Sequence, residues 1–316
     1  MLFEPAFDDF AVAYQASQPQ LVFGSMVADL ETPVSTYLKL KAAFAGHSFL
    51  LESVEGGATR GRYSMIGLEP DMIWRCDGAK AYLSLGGKSE EELTEKPLTA
   101  LRHLLGQSAI PVPSHLPPMS AGVFGYLGYD MVRLMERLPE AKEDPIGVPD
   151  ALLTRPTMMV VFDSVKDVLF LVAPVRPKPG LTARQAYEAA CLRLDKAVGA
   201  IEGPLQPTAR IAYEDATFPE PLSNTTRSEY LEMVERAKEY VRAGDVFQVV
   251  LSQRFSAPFP LPPFALYRAL RRVNPAPFLC YLDFDSFQVV CSSPEILVRN
   301  FIKTVDSLQS PMRKCA

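Results

Sequence analysis

A chain of 316 residues, 48% hydrophobic and 22% charged, is long enough to bury two sizeable cores. Its net charge of −5 argues against a nucleic-acid partner, which demands a basic surface. No apolar run reaches the roughly 18 residues a transmembrane helix needs, and Met1 to Phe10 has acidic residues without the basic n-region of a secretory signal. The five cysteines, Cys76, Cys191, Cys280, Cys291 and Cys315, are odd in number and in no C-x-x-C spacing. Neither a zinc site nor a disulfide framework is expected, and a reducing cytoplasm is the expected location.

In chain order, Thr32 followed by Pro33 reads as an N-cap and first helical residue, opening a helix to about Phe44. Ser48–Val54 is a short apolar run with the polar pair Glu52-Ser53 at its end, a buried strand. After a Gly56-Gly57 turn, Arg62–Gly67 and Met72–Cys76 read as successive strands, and Ala81–Leu85 as another, closed by Gly86-Gly87. Leu98–Leu105 is helical. Gly122, Gly125 and Gly128 interrupt an aromatic strand pattern; they lack phosphate-loop spacing, and close backbone packing is their expected role. Asp130–Leu138 has helical periodicity, and Ala151–Phe162 with Val168–Pro174 forms a hairpin across Asp163–Asp167. Ala183–Ile201 is a helix with Tyr187, Cys191, Leu194 and Val198 on one stripe.

Gly203–Pro221 is a Pro-rich connection and the expected domain boundary. Thr226-x-x-Glu229 is a capping box; Tyr230, Val234, Ala237 and Val241 follow at helical spacing until Gly244. Val246–Phe255 alternates as a strand with the polar Gln248 inside it. Pro263–Val273 is a helix broken by Asn274-Pro275-Ala276-Pro277, and Phe278–Phe284 with Phe287–Cys291 forms a hairpin. Helices and mostly antiparallel hairpins in blocks give an α+β class. Residues 1–175 form one domain, 176–224 a helix and connection, and 225–300 the start of another; 301–316 is a tail off the pattern. His47, His103 and His115 lie far apart with no ligand spacing, so loop or surface positions are expected. Glu90-Glu91-Glu92 reads as a solvated face.

Four ordered stretches resemble component I of anthranilate synthase. They are Leu50-Leu51-Glu52-Ser53 with Arg62-Tyr63-Ser64, the run from Ser120 to Asp130, the run from Gly244 to Ser252, and Asn274-Pro275-Ala276-Pro277-Phe278 ending in Ser293-Pro294-Glu295. The resemblance covers roughly residues 20–299. It implies a two-layer chorismate-utilising fold of antiparallel sheets with packed helices, incomplete at the C-terminus. Residues 1–175 then match a regulatory-type domain and 225–300 the start of a chorismate-binding domain. The implied activity is a lyase reaction of tryptophan biosynthesis: chorismate and ammonia give anthranilate and pyruvate. Mg²⁺ is the implied cofactor, a glutamine amidotransferase subunit the implied ammonia source, and L-tryptophan the implied feedback inhibitor.

By that resemblance Glu52, Ser53, Pro277, Phe278 and Leu279 fall in the tryptophan site. Polar groups for an amino acid's charged ends beside an apolar slot suit such a ligand. Phe278 and Leu279 stand where many relatives carry Tyr and Met, which removes a hydroxyl. Without the resemblance, the same residues read as a strand end and a Pro-terminated helix leading into a core strand. Gln248 matches an active-site strand in which water-adding members of the wider family carry Lys. A lysine of lowered pKa acts as a base toward water and an amide does not, so Gln248 favours amination; alone, it reads as an edge-strand residue facing solvent. The family's Gly-Thr-Arg segment, acidic helix motifs, histidine segment and Gly-rich carboxylate loop are not found, so no metal ligand is assigned. A truncated or frame-shifted form lacking turnover is expected. The alternatives are the large subunit of aminodeoxychorismate synthase and a non-catalytic tryptophan- or partner-binding fragment.

Overall fold

The computed structural model describes residues 1–53, 61–206 and 217–295; the tail 301–316 and the Gly56-Gly57 turn lie outside the described residues. The chain divides into two compact units, residues 1–206 with 269–316 and residues 207–268. In order come α1 (Phe7–Gln15), β1 (Gln20–Val27), α2 (Pro33–Ala43), β2 (Ser48–Glu52), β3 (Tyr63–Asp77), β4 (Lys80–Leu85), β5 (Glu91–Glu92), α3 (Pro97–Ser108), β6 (Phe124–Leu127), β7 (Ala151–Asp163), β8 (Val168–Val175) and α4 (Ala183–Glu202). Then follow β9 (Leu222–Ser223), α5 (Arg227–Ala243), β10 (Phe255–Ser256), α6 (Pro263–Val273), β11 (Phe278–Asp283) and β12 (Gln288–Ser293). Helices and antiparallel sheet make the fold α+β.

The first unit is built on an antiparallel sheet in the order β1-β8-β7-β3-β2-β11-β12. The two strands expected over 62–76 are one strand, β3, of 15 residues. Its register against β7 slips between Pro70 and Met72. Pro70 has no N–H to donate, so the ladder skips a residue and the strand bends instead of ending. Beyond the bulge, β4 pairs with β3 and β6 with β7. Met72, Trp74, Leu101, Leu104, Met131 and Leu153 form a core there, supplied in part by α3. Phe23, Phe49, Leu152, Met159, Val172 and Leu282 form a second core.

Gly125 supports the packing reading of the glycine stretch. Its φ is +154°, and a Cβ there would drive into the Leu152 carbonyl oxygen. At Gly128 a Cβ would come within 2.8 Å of the Asp150 carbonyl oxygen. The segment after it, expected as a helix over 130–138, is a short 3₁₀ helix, Tyr129–Leu134.

α4 packs against β1 and β8 and against α1 and α2. Its buried stripe is Ala186, Ala190, Leu194, Ala197 and Ile201. The larger residues expected there, Tyr187, Cys191 and Val198, flank it half-buried. Alanine lets a helix approach a sheet closely, so the face is centred one residue from where residue size would put it. α1 and β1 went unrecognised in the sequence, although the apolar run Leu21-Val22-Phe23 was a signal.

In the second unit α5 opens as its capping box dictates. Thr226 Oγ1 accepts from the Glu229 N–H at 3.3 Å, and the Glu229 carboxylate accepts from the Thr226 N–H at 2.8 Å. It ends at Gly244 in the left-handed region, φ 82°. The strand expected over 246–255 does not form; only Phe255–Ser256 pairs, with Leu222–Ser223. Alternation alone does not make a strand, because its backbone groups need a neighbour. Phe247, Val249 and Val250 are exposed.

Candidate functional site

Antiparallel pairing sets Glu52 opposite Leu279, Leu50 opposite Tyr281 and Ser48 opposite Asp283. Opposed residues share a face of the sheet. On this face Tyr37 of α2 shares a hydrogen bond with Ser48 at 2.9 Å, and its ring meets Tyr281 edge-on at 5.7 Å. Burial pushes both tyrosine hydroxyls above their ordinary pKa, so they stay neutral. Lys41 pairs with Asp283 at 2.9 Å. Burial raises the Asp283 carboxyl, but Lys41 and Gln288 outweigh it and the net shift is downward.

Glu52 lies at the end of this row with its side chain 3% exposed, and it accepts a hydrogen bond from Arg271 Nη2 at 2.9 Å. A carboxylate so deeply buried requires such a partner. Arg271 is in the last turn of α6, just before the Asn274–Pro277 connection. The pair therefore anchors the segment that delivers Pro277, Phe278 and Leu279. The Ser292 hydroxyl adds a second tie, donating to the Asn274 carbonyl at 2.8 Å.

The five residues expected in a tryptophan site thus gather at one end of the β2–β11 pair. Pro277 and Leu279 are buried, Ser53 is half-buried and Phe278 is 39% exposed. They do not share one face. Strand alternation puts Ser53 and Phe278 on the side opposite Glu52 and Leu279. Gln248 lies in the second unit, exposed and not in a strand. It lines an open groove of about 690 Å³ with Tyr230, Val234, Ala237 and Val241 of the α5 stripe.

A cavity that sequence reasoning missed lies at the other end of β2 and β11. It measures about 400 Å³, and His47, Arg75, Lys88, Glu90, Phe284 and Phe287 are among its lining residues. Phe284 and Phe287 flank the β11–β12 turn, with ring centroids 5.2 Å apart. Arg75 is held by Glu90 at 2.6 Å, and burial holds the His47 imidazole below its ordinary pKa. The other histidines have structural surroundings: His103 lies 3.0 Å from Glu95, and His115 packs on Phe23. The acidic run is exposed as expected, with Glu92 reaching Lys80 at 3.0 Å.

Among the described residues no three His, Cys, Asp or Glu side chains converge. Mg²⁺ takes oxygen ligands, and no such cluster is present among the described residues. No helix among them is long and apolar enough to cross a membrane.

Residues 47–307 match the family model described as chorismate binding enzyme. The chain is 47% identical to anthranilate synthase component 1 of Cereibacter sphaeroides, over 93% of this chain and 59% of that protein. It is 45% identical to anthranilate synthase component 1 of Thermus thermophilus, over 87% of this chain and 56% of that protein. The crystal structure of anthranilate synthase component I from Streptococcus pneumoniae superposes with a TM-score of 0.59 at 28% identity, covering 77% of this chain and 52% of that one. The chain therefore spans between half and three-fifths of the length of these relatives. The sheet architecture shared with a solved relative, together with a family model matched across both units, shows that this chain belongs to the chorismate binding enzyme family.

Proposed function

We propose that this chain is a form of the large subunit of anthranilate synthase, a cytoplasmic lyase of tryptophan biosynthesis. In the whole protein, chorismate and ammonia give anthranilate and pyruvate, a partner amidotransferase supplies the ammonia from glutamine, and L-tryptophan inhibits. The relatives' names and the family match support this reading of the whole protein. Gln248 is consistent with it, since an amide cannot serve as the base that adds water.

The part of the reading that belongs to this chain is the tryptophan site. The β2–β11 pairing carries it, because it gathers Glu52, Ser53, Pro277, Phe278 and Leu279 at one sheet end. Phe278 offers a partly exposed ring for indole, and Ser53 a hydroxyl beside it. Glu52 positions the site through Arg271.

Titration calorimetry with L-tryptophan on the chain is the test, with Phe278→Ala as the comparison. Measurable binding is expected, weakened about tenfold or more in the variant by loss of aromatic contact. Absence of heat with L-tryptophan, or equal affinity in both proteins, would sink the site assignment. We also expect the chain to bind without converting chorismate in the presence of ammonium and Mg²⁺. Appearance of anthranilate fluorescence would overturn that expectation while leaving the family membership intact.

A further inference from the structure

Cys280 of β11 and Cys291 of β12 are direct cross-strand partners. Both are free and half-buried. Opposed residues in an antiparallel pair have Cα atoms about 4.5–5.5 Å apart. That range falls inside the window of roughly 4.4–6.8 Å for a disulfide. The two thiols interact across this register pair, which holds the Cys291 thiol below its ordinary pKa and, with burial, the Cys280 thiol above it. A thiolate is the reactive form of cysteine. Among the described residues β12 pairs only with β11, so Cys291 lies on an edge strand of the sheet.

The other described cysteines have the opposite character. Cys76 is fully buried, and burial pushes its thiol up to about 11. Burial likewise raises Cys191. Among the described cysteines, the hairpin pair alone combines two thiols opposed in register with an edge position.

We propose that Cys280 and Cys291 are a modification site, a dithiol that a low-molecular-weight disulfide oxidises to a cross-strand disulfide. The Cys291 thiolate attacks one sulfur of the small disulfide, whose S–S bond breaks and releases one thiolate. Cys280 gives up its proton and attacks the Cys291 sulfur of the mixed disulfide. The protein S–S bond forms and the second small thiolate leaves. Counted from two neutral thiols, the protein loses two electrons and two protons, and the small disulfide gains them as two thiols. The new bond lies next to Leu279, fixing the strand that carries the proposed indole wall.

The test uses the full reduced chain and oxidised glutathione near neutral pH, followed by acid quench, alkylation, trypsin and mass spectrometry. No Lys or Arg lies between Val273 and Arg299, so one tryptic peptide holds both cysteines. The expected product is that peptide unalkylated and two hydrogens lighter, with Cys76 and Cys191 alkylated. Before oxidation, iodoacetamide should label Cys291 about tenfold or more faster than Cys76. In Cys280→Ser the reaction should stop at a stable glutathione adduct on Cys291. Recovery of both cysteines alkylated after oxidation, or labelling of Cys291 no faster than Cys76, overturns the proposal. Both of those readings come from the unaltered chain and need no variant to fold.

Discussion

Asp163 is a buried carboxylate paired with a guanidinium. It ends β7 with its side chain 2% exposed, and Arg62 grips both of its oxygens at 2.8 and 2.6 Å. The Arg62 hydrogen bonds, aided by backbone N–H groups, hold its carboxyl below the usual carboxylate range against the opposing effect of burial. A native pKa below the unfolded one means that the unfolded chain takes up the proton first as pH falls. The contribution to stability is therefore complete above the unfolded value of about 3.9 and is lost as pH drops through the lower native value. The thermal midpoint should decline below about pH 4. Asp163→Asn should lower the midpoint at neutral pH and flatten its acid decline; an unchanged acid limb in the variant would exclude this pair as a cause. In the sequence Asp163 reads only as the start of a hairpin connection, because its partner lies 101 residues away. Thr226 and Glu229 are legible because each finds its partner within one helical turn.

At the scale of elements, local patterns placed most helices and hairpins and misjudged where packing intervenes. β3 reads as two strands because Glu69-Pro70 interrupts its alternation, yet pairing with β7 resumes past the bulge. The β6–β7 approach depends on Gly125, whose positive φ and contact with the Leu152 carbonyl leave no room for a side chain. Gly125→Ala should cost about 2 kcal/mol from backbone strain and displaced packing. Urea denaturation measures this, and a midpoint equal to that of the unaltered protein would show that β6 is free to shift. The stretch 246–255 has a strand's alternation without a strand's partner beyond the short β9–β10 contact.

Across the whole molecule the two units differ in how much apolar surface they bury. The first has two cores and a helix, α4, seated on its sheet. In the second, α5 buries no residue, and Leu222, Phe247, Val250 and Phe255 are exposed. Contiguous exposed apolar surface attracts amphipathic dyes and promotes association. The chain should enhance the fluorescence of anilinonaphthalene sulfonate, and Phe247→Ser combined with Val250→Ser should reduce that signal. A native chain that leaves the dye dark would contradict the exposure described for 246–250.

The sequence by itself determined the α+β class, the capped ends of α2 and α5, the β7–β8 and β11–β12 hairpins and the family resemblance. These follow from periodicity, caps and motifs that act over a few residues. Only the tertiary structure decided that β11 lies beside β2, that Glu52 is neutralised by Arg271 across 219 residues, and that Ser53 and Phe278 face away from Glu52. Strand pairing is chosen by burial and hydrogen bonding over the whole sheet, and no local pattern records which distant strand satisfies both.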